Sequence, residues 1–435
     1  MRKIIIVILL TLCAFLAAAE LDLENAWEML LAHNPQVQSE KLIIADRTSD
    51  TKLAIANMLP SGNLNASYNP DSNDLDKKSM GYSFSISQPV YQGGKLYNSY
   101  VNSKKELQQA ELNYQNLLLF MRGVLETKYY SVLEKRESLE IAKSELAYSA
   151  SNLSAAEIRY ENGSISQGEL WQLRSNSAQQ EVSILKAKTN LQIAVNGLKS
   201  FLDYQAELNL EPVSIIDYQQ ITTKLGNWEI NDLNAVEIRL INHAISNNPD
   251  YESQALGVII SETQLQSAKG NFLPSVNMSI SRSWNYKSWG DDPDGSLNLG
   301  INASIPVFSI YDNCLNYAKA RNNLSRSELS KQQTKLDLKL EIKSGILNLV
   351  AAVQELNAAG TAQEYAEISY QAAAEQFKNK MITANELLNT QIVLRTAESN
   401  LNSSIYSFLN YKSDLQQSLG ILVETELWQL LLTDQ

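Results

Sequence analysis

The stretch Tyr82-Ser-Phe-Ser-Ile-Ser-Gln-Pro-Val-Tyr-Gln-Gly-Gly94 changes its period part-way along. Tyr82, Phe84 and Ile86 alternate with Ser83, Ser85 and Ser87. Period-two alternation marks a strand with one apolar and one polar face. Beyond Gly94 the spacing becomes helical, rich in Leu, Glu, Gln, Ala, Lys and Ser, and no proline interrupts it before Pro212. A helix over 95–161 is expected to reach about 100 Å at 1.5 Å per residue. A typical globular helix has about a dozen residues. A rod this long cannot pack inside a compact domain and must lie against similar rods.

The same passage occurs again. Pro89-Val90-Tyr91 returns as Pro306-Val307-Phe308, 217 residues on. That offset persists through Leu139 and Leu356, Ala155-Ala156 and Ala372-Ala373, Tyr160 and Phe377, Glu169-Leu170 and Glu386-Leu387, and Leu198 and Leu415. Upstream, Asn34-Pro35 returns as Asn248-Pro249, and Leu59-Pro60 as Leu273-Pro274, both 214 apart. Internal repetition on this scale replaces the two or three domains that 435 residues would otherwise suggest. The expected order is a first repeat over 20–202 and a second over 234–421. Segments 203–233 and 422–435 break the pattern and read as short equatorial elements. Each repeat starts a helix at Asn-Pro, with Asn as N-cap and Pro at the first helical position. Two strands follow, 62–69 and 80–90 in the first copy, 274–284 and 296–308 in the second. Then come two helices, 95–161 with 166–200, and 313–379 with 383–419. Asn162-Gly163 is a stop signal between the first pair.

Residues 1–19 read as a secretory signal peptide. Arg2 and Lys3 precede the apolar run Ile4 to Leu12, and Ala17-Ala18-Ala19 offers a cleavage site. Large Leu12 argues against lipidation at Cys13, and removal of the leader takes Cys13 with it, so Cys314 is expected to have no disulfide partner. No other run approaches the roughly 18 apolar residues of a spanning helix, so the exported chain can enter a membrane only as strands. Net charge is −12, which argues against nucleic acid as a partner. With two histidines, His33 and His243, both near Asn-Pro helix starts, a His-based triad or Cys/His metal site is nearly excluded. No enzyme activity, metal or cofactor is expected. Asp291, Asp292 and Asp294 lack the spacing and distal Glu of a calcium loop and read as a solvated external loop.

The strands carry the functional argument. Each has an apolar face suited to lipid and a Ser/Asn face suited to water. Four strands cannot close a barrel, since spanning barrels need about eight or more. Closure therefore requires several chains, and three would supply twelve strands. The expected fold is mainly α with a small β part. Duplicated long helical hairpins form an α-helical barrel, and four strands per chain contribute to a shared trimeric membrane β-barrel. A periplasmic coiled-coil scaffold or adaptor without a channel is the alternative, but a scaffold has no use for strands with a polar face.

Taken in order and twice over, these marks resemble the outer membrane efflux proteins (TolC-like channels). Ser87 to Gly94 and the tip sequence Tyr160-Glu-Asn-Gly-Ser-Ile-Ser-Gln-Gly-Glu-Leu170 carry part of the likeness. The resemblance implies a homotrimer in the outer membrane with a large periplasmic part. It implies docking to a periplasmic adaptor (membrane fusion) protein and an inner membrane pump, proton-driven or ATP-driven. Such a duct serves tripartite efflux or type I secretion. The second copy departs from the pattern at Ile310 and Tyr311, which replace Gly93 and Gly94, and at Lys380, which replaces Gly163. A differently shaped second tip is therefore expected.

The resemblance also implies an acidic ring at the periplasmic aperture. One family position maps onto Glu386, with Glu169 its counterpart in the first copy. The next acidic position is Asn389 here, with Gln172 as its mate, so the ring is thinner. A second reading stands beside it: Ser166-x-x-Glu169 and Thr383-x-x-Glu386 are capping boxes. Tyr160 and Phe377 are read as either closed-tip contacts or inter-helix packing, with Gly163 shaping the turn. Tyr68, Tyr82, Trp284 and Tyr286 are read as a membrane aromatic girdle or as barrel-end packing, with Trp289 beside them in the loop.

Overall fold

A computed structural model describes residues 21–70, 78–214, 218–228, 230–286 and 294–432. The expected signal peptide, Trp289, Asp291 and Asp292 lie outside the described residues. In chain order the elements are α1 (Leu23–His33), α2 (Pro35–Ala56), β1 (Ser61–Pro70), β2 (Lys78–Gln92), α3 (Lys95–Glu161) and α4 (Gln167–Leu202). There follow α5 (Gln219–Gly226), α6 (Ile230–Asn247), α7 (Pro249–Gly270), β3 (Ser275–Tyr286) and β4 (Asp294–Ser304). The chain continues with α8 (Ile310–Lys378), α9 (Ala384–Leu419) and α10 (Glu424–Leu432). The long helices α3 and α8 have 67 and 69 residues. No described helix is long and apolar enough to cross a membrane.

Two compact units share these elements. One comprises 39–116 and 249–337 and contains the sheet. Its four strands are antiparallel in the order β1-β2-β3-β4, so each strand neighbours the next in sequence. The register places Leu64, Phe84, Arg282 and Leu297 in one row across the sheet, and Gly62, Ile86, Ile280 and Leu299 in the next. These rows form the apolar face, and nothing among the described residues covers it: Leu297, Leu299 and Ile301 are 71–74% exposed. On the opposite face Ser283 and Ser296 hydrogen-bond at 2.8 Å, and Ser275 and Ser304 at 3.2 Å.

Two prolines act differently on this sheet. Pro89 stays inside β2 because the register shifts between Pro89 and Tyr91, and an irregularity accommodates the missing N–H. Pro306 ends a strand instead: β4 stops at Ser304 and does not run to 308. The turn into α3 uses Gly93 and Gly94, both at positive φ, +63° and +80°. Gly93 also lies so close to the Gly270 backbone that a Cβ on either would collide with the other's carbonyl oxygen. With Ile310 and Tyr311 the second copy lacks this device, and α8 begins directly at Ile310.

The other unit comprises the chain to Gln38, 117–248 and 338 onward. It contains an element absent from the sequence reading, α1, which ends where the first helix was expected to begin. Asn34 performs both tasks. Its N–H closes α1 on the Leu30 carbonyl at 2.9 Å, and its Oδ1 accepts from the N–H of Gln36 at 2.9 Å to open α2. Its Nδ2 then donates to the Phe201 carbonyl at 3.2 Å. Asn248 repeats the arrangement, from Ala244 and to the Ser418 carbonyl at 2.9 Å. His33 occupies the last turn of α1 and bonds the Met29 carbonyl through Nδ1 at 3.1 Å.

Short elements of the two segments that break the repeat pack on α3 and α9. The segment 203–233 is not uniform, because it contains α5 and the start of α6. The Tyr218 ring meets Phe408 at 5.6 Å and Trp428 at 6.3 Å. Among them Lys412 is 1% exposed, with Nζ 2.6 Å from Glu424 and 5.9 Å from the Tyr130 ring. Burial pushes the Glu424 carboxyl up, but the Lys412 charge and hydrogen bonds from Lys412, Trp428 and Tyr218 hold it below its usual range.

Candidate functional site

The two helix–helix turns of the second unit gather most of the residues singled out in sequence. The first runs from the end of α3 to the start of α4. Gly163 takes φ +66°, and the N–H groups of Gly163 and Ser164 close on the carbonyls of Tyr160 and Arg159 at 2.8 and 2.7 Å. The second turn, from α8 to α9, repeats those bonds: Lys380 to Phe377 at 3.0 Å and Met381 to Gln376 at 2.9 Å. The expectation of a differently shaped second turn is corrected here. Lys380 adopts φ +65°, one degree from Gly163. The closing hydrogen bonds fix this conformation in both copies, and the lysine accepts the left-handed strain that glycine avoids.

Both capping boxes are formed. The Ser166 N–H donates to Glu169 Oε2 at 2.8 Å while the Glu169 N–H donates to Ser166 Oγ at 3.3 Å. Thr383 and Glu386 reproduce these bonds at 2.8 and 3.3 Å. Hydrogen bonding from the Ser166 backbone, and further donors including the Ala384 N–H, hold the Glu169 carboxyl below its usual range. Bonds from the Thr383 backbone and hydroxyl do the same for Glu386. Both groups are therefore anionic at neutral pH, and Glu386 is exposed. Gln172 and Asn389 are exposed one turn further along, and Gln172 Nε2 reaches Asn385 Oδ1 at 3.5 Å.

The aromatic pair is not equivalent. Phe377 is 1% exposed and packs with Ile165, Leu170, Leu173, Tyr370 and Leu387. Tyr160 is 41% exposed. What joins the two turns is Arg159, a residue the sequence did not flag. It stacks 4.3 Å from the Phe377 ring, and Nη1 donates to the Phe377 carbonyl at 3.0 Å and the Ile382 carbonyl at 3.4 Å. One side chain at the end of α3 thus holds the end of α8 and the entry to α9.

Further along the same helices lies a buried polar network, also unflagged. Asn152 Nδ2 donates to the Tyr370 hydroxyl and to Gln391 Oε1, both at 3.1 Å. Gln391 Nε2 donates to Glu145 Oε2 at 3.2 Å. Burial pushes the Glu145 carboxyl up, against Gln391 and Arg395. Burial and the nearby Glu145, Glu367 and Glu137 push Glu398 up to about 7. The aromatic residues expected to form a girdle sit in the other unit. Tyr82 pairs across strands with Trp284, and Tyr68 with Met80; Tyr286 ends β3 opposite Met80.

A model of the outer membrane efflux protein family matches residues 26–202 and 240–421. The chain belongs to that family. As an outer membrane efflux protein it is a channel component of the outer membrane with a large periplasmic part. Among solved structures, CusC, described for folding and transmembrane channel formation, is 16% identical with TM-score 0.79, covering 92% of each chain. The outer membrane protein VceC from Vibrio cholerae is 16% identical with TM-score 0.77, covering 92% of this chain and 96% of that one. The open-state outer membrane channel MtrE from Neisseria gonorrhoeae is 14% identical with TM-score 0.75, over 92% and 89%. These likenesses show that this outer membrane efflux protein shares their fold. A search of curated proteins finds no match.

Proposed function

We propose that three copies of this chain form one duct, which carries substrates across the outer membrane for a tripartite efflux or type I secretion system. The observation that supports it is the open sheet. Among the described residues β1 pairs only with β2, and β4 only with β3, while the apolar face stays uncovered. Unpaired edges are not tolerated in lipid, and a closed barrel is the way strands span it. Three copies bring the sheet to twelve strands, within the range of membrane barrels.

The duct acts without chemistry of its own. A periplasmic adaptor and an inner membrane pump supply the coupling and the energy. The two tip turns serve as the periplasmic aperture, where Glu169 and Glu386 contribute fixed negative charge while capping their helices. Gln172 and Asn389 line the next turn, and Tyr160, Phe377 and Gly163 shape the tip. Tyr68, Tyr82, Trp284 and Tyr286 form the membrane girdle.

Planar-bilayer recording of the purified full chain tests this reading. The expected result is a conducting, cation-selective pore blocked by divalent ions, with selectivity and block both reduced in E169Q/E386Q. A protein that does not conduct would overturn the duct. Unchanged selectivity and block in the double variant would overturn the aperture assignment alone.

A further inference from the structure

Arg282 stands where the pattern of its own sheet calls for an apolar residue. It follows Met278 and Ile280 and precedes Trp284 on the apolar face of β3. Its row holds Phe84 on β2, Leu64 on β1 and Leu297 on β4. The four strands contain one acidic residue, Asp294, which pairs with Asn285 in the alternate, polar-face register. Among the described residues no carboxylate forms an ion pair with Arg282. β3 is an inner strand with β2 and β4 on either side, so a second copy joining at β1 or β4 adds no strand beside it.

The side chain has a direction. The guanidinium carbon lies 5.0 Å from the Trp284 ring centroid, two residues nearer the end of β3 that leads away from α7. The charged head thus leans toward the Tyr82–Trp284 row. A cation on a lipid-facing strand behaves this way, because its cost is greatest at the middle of the bilayer and falls toward the interface. At the interface the head meets lipid phosphate.

We propose that Arg282, backed by Trp284, is a binding site for the phosphate of an anionic lipid in the leaflet nearer the strand-to-strand loops. This rests on the reading that the apolar face meets lipid. The guanidinium fork matches two phosphate oxygens in its plane, and the indole face holds that plane by stacking. With no carboxylate beside it among the described residues, a cation in the row of Leu64, Phe84 and Leu297 gains more from a phosphate than an exposed surface arginine does, since lipid tails screen the pair poorly.

The test is native mass spectrometry of the full chain released from nanodiscs containing phosphatidylglycerol and phosphatidylcholine with matched acyl chains. The wild type is expected to retain phosphatidylglycerol preferentially, and R282Q to lose about tenfold of that preference, the scale of one charge-assisted contact. R282K, which keeps the charge without the fork, is expected to fall between them. No preference in the wild type, or an undiminished preference in R282Q, would overturn the site. Excess inorganic phosphate is expected to leave lipid retention unchanged, and competition by it would overturn the lipid as the ligand. Failure of the wild type to enter nanodiscs at all would instead count against the membrane barrel.

Discussion

Arg159 lies over Phe377, its guanidinium 4.3 Å from the ring and Nη1 3.0 Å from the same residue's carbonyl oxygen. This pair helps fasten the ends of two long helices related by the internal repeat, beside the buried cluster that Phe377 shares with Ile165 and Leu170. Opening of the tip requires the pair to separate or to move as a body. Replacing Arg159 with alanine removes the stacking and the donor to two carbonyls, a loss of about 2 kcal/mol. Faster amide exchange in the tip turns and a higher open probability in bilayer recordings are the expected outcomes. R159K should restore part of the cation–π term but not the paired donors.

Lys380 carries left-handed strain that Gly163 does not. K380G is expected to raise stability by about 1 kcal/mol, offset in part by the greater freedom of glycine in the unfolded chain. G163A is expected to lower it by a similar amount, although no neighbouring atom would touch the added Cβ. Thermal unfolding of both variants, compared with the wild type, reads the difference.

Glu398 binds its proton more tightly in the folded chain than in the unfolded one, because burial and nearby carboxylates raise its pKa to about 7. Its contribution to stability is therefore complete below the ordinary glutamate range and is lost as pH rises through about 7. Midpoints of unfolding measured across that window should fall with rising pH and then level off. E398Q should flatten the slope.

Lys412 and Glu424 form an ion pair with Lys412 1% exposed. Removing the lysine alone strands the carboxylate, and K412A is expected to cost about 3 kcal/mol. The double variant K412M/E424Q should recover most of that loss, because a well-packed apolar side chain can replace a buried pair. A double-mutant cycle of unfolding free energies checks it.

The repeated parts of the fold were legible because they depend on local periodicity. Phe84 alternating with serines, Asn-Pro at helix starts, and Ser166 or Thr383 three residues before a glutamate each carry their own physical signature. Where one signature had two meanings, the reading failed. Asn34-Pro35 marked a helix start and so hid α1, which the same asparagine ends. Pro89 and Pro306 look alike in sequence, yet only Pro89 has a bulge to hold it in a strand. Lys380 looked like a change of turn, but the closing bonds to Phe377 and Gln376 preserve the turn shape. The Arg159 clasp and the Asn152–Gln391–Glu145 network had no local signal at all. Each joins residues more than 200 positions apart, and helix-to-helix packing alone selects those partners.

One chain supplies an incomplete part of a barrel, and three complete it. The mass of the particle extracted from outer membranes in mild detergent tests this most directly. Three chains per particle, held together until heating separates them, are expected. A monomeric particle, or one with a number of chains other than three, would contradict it.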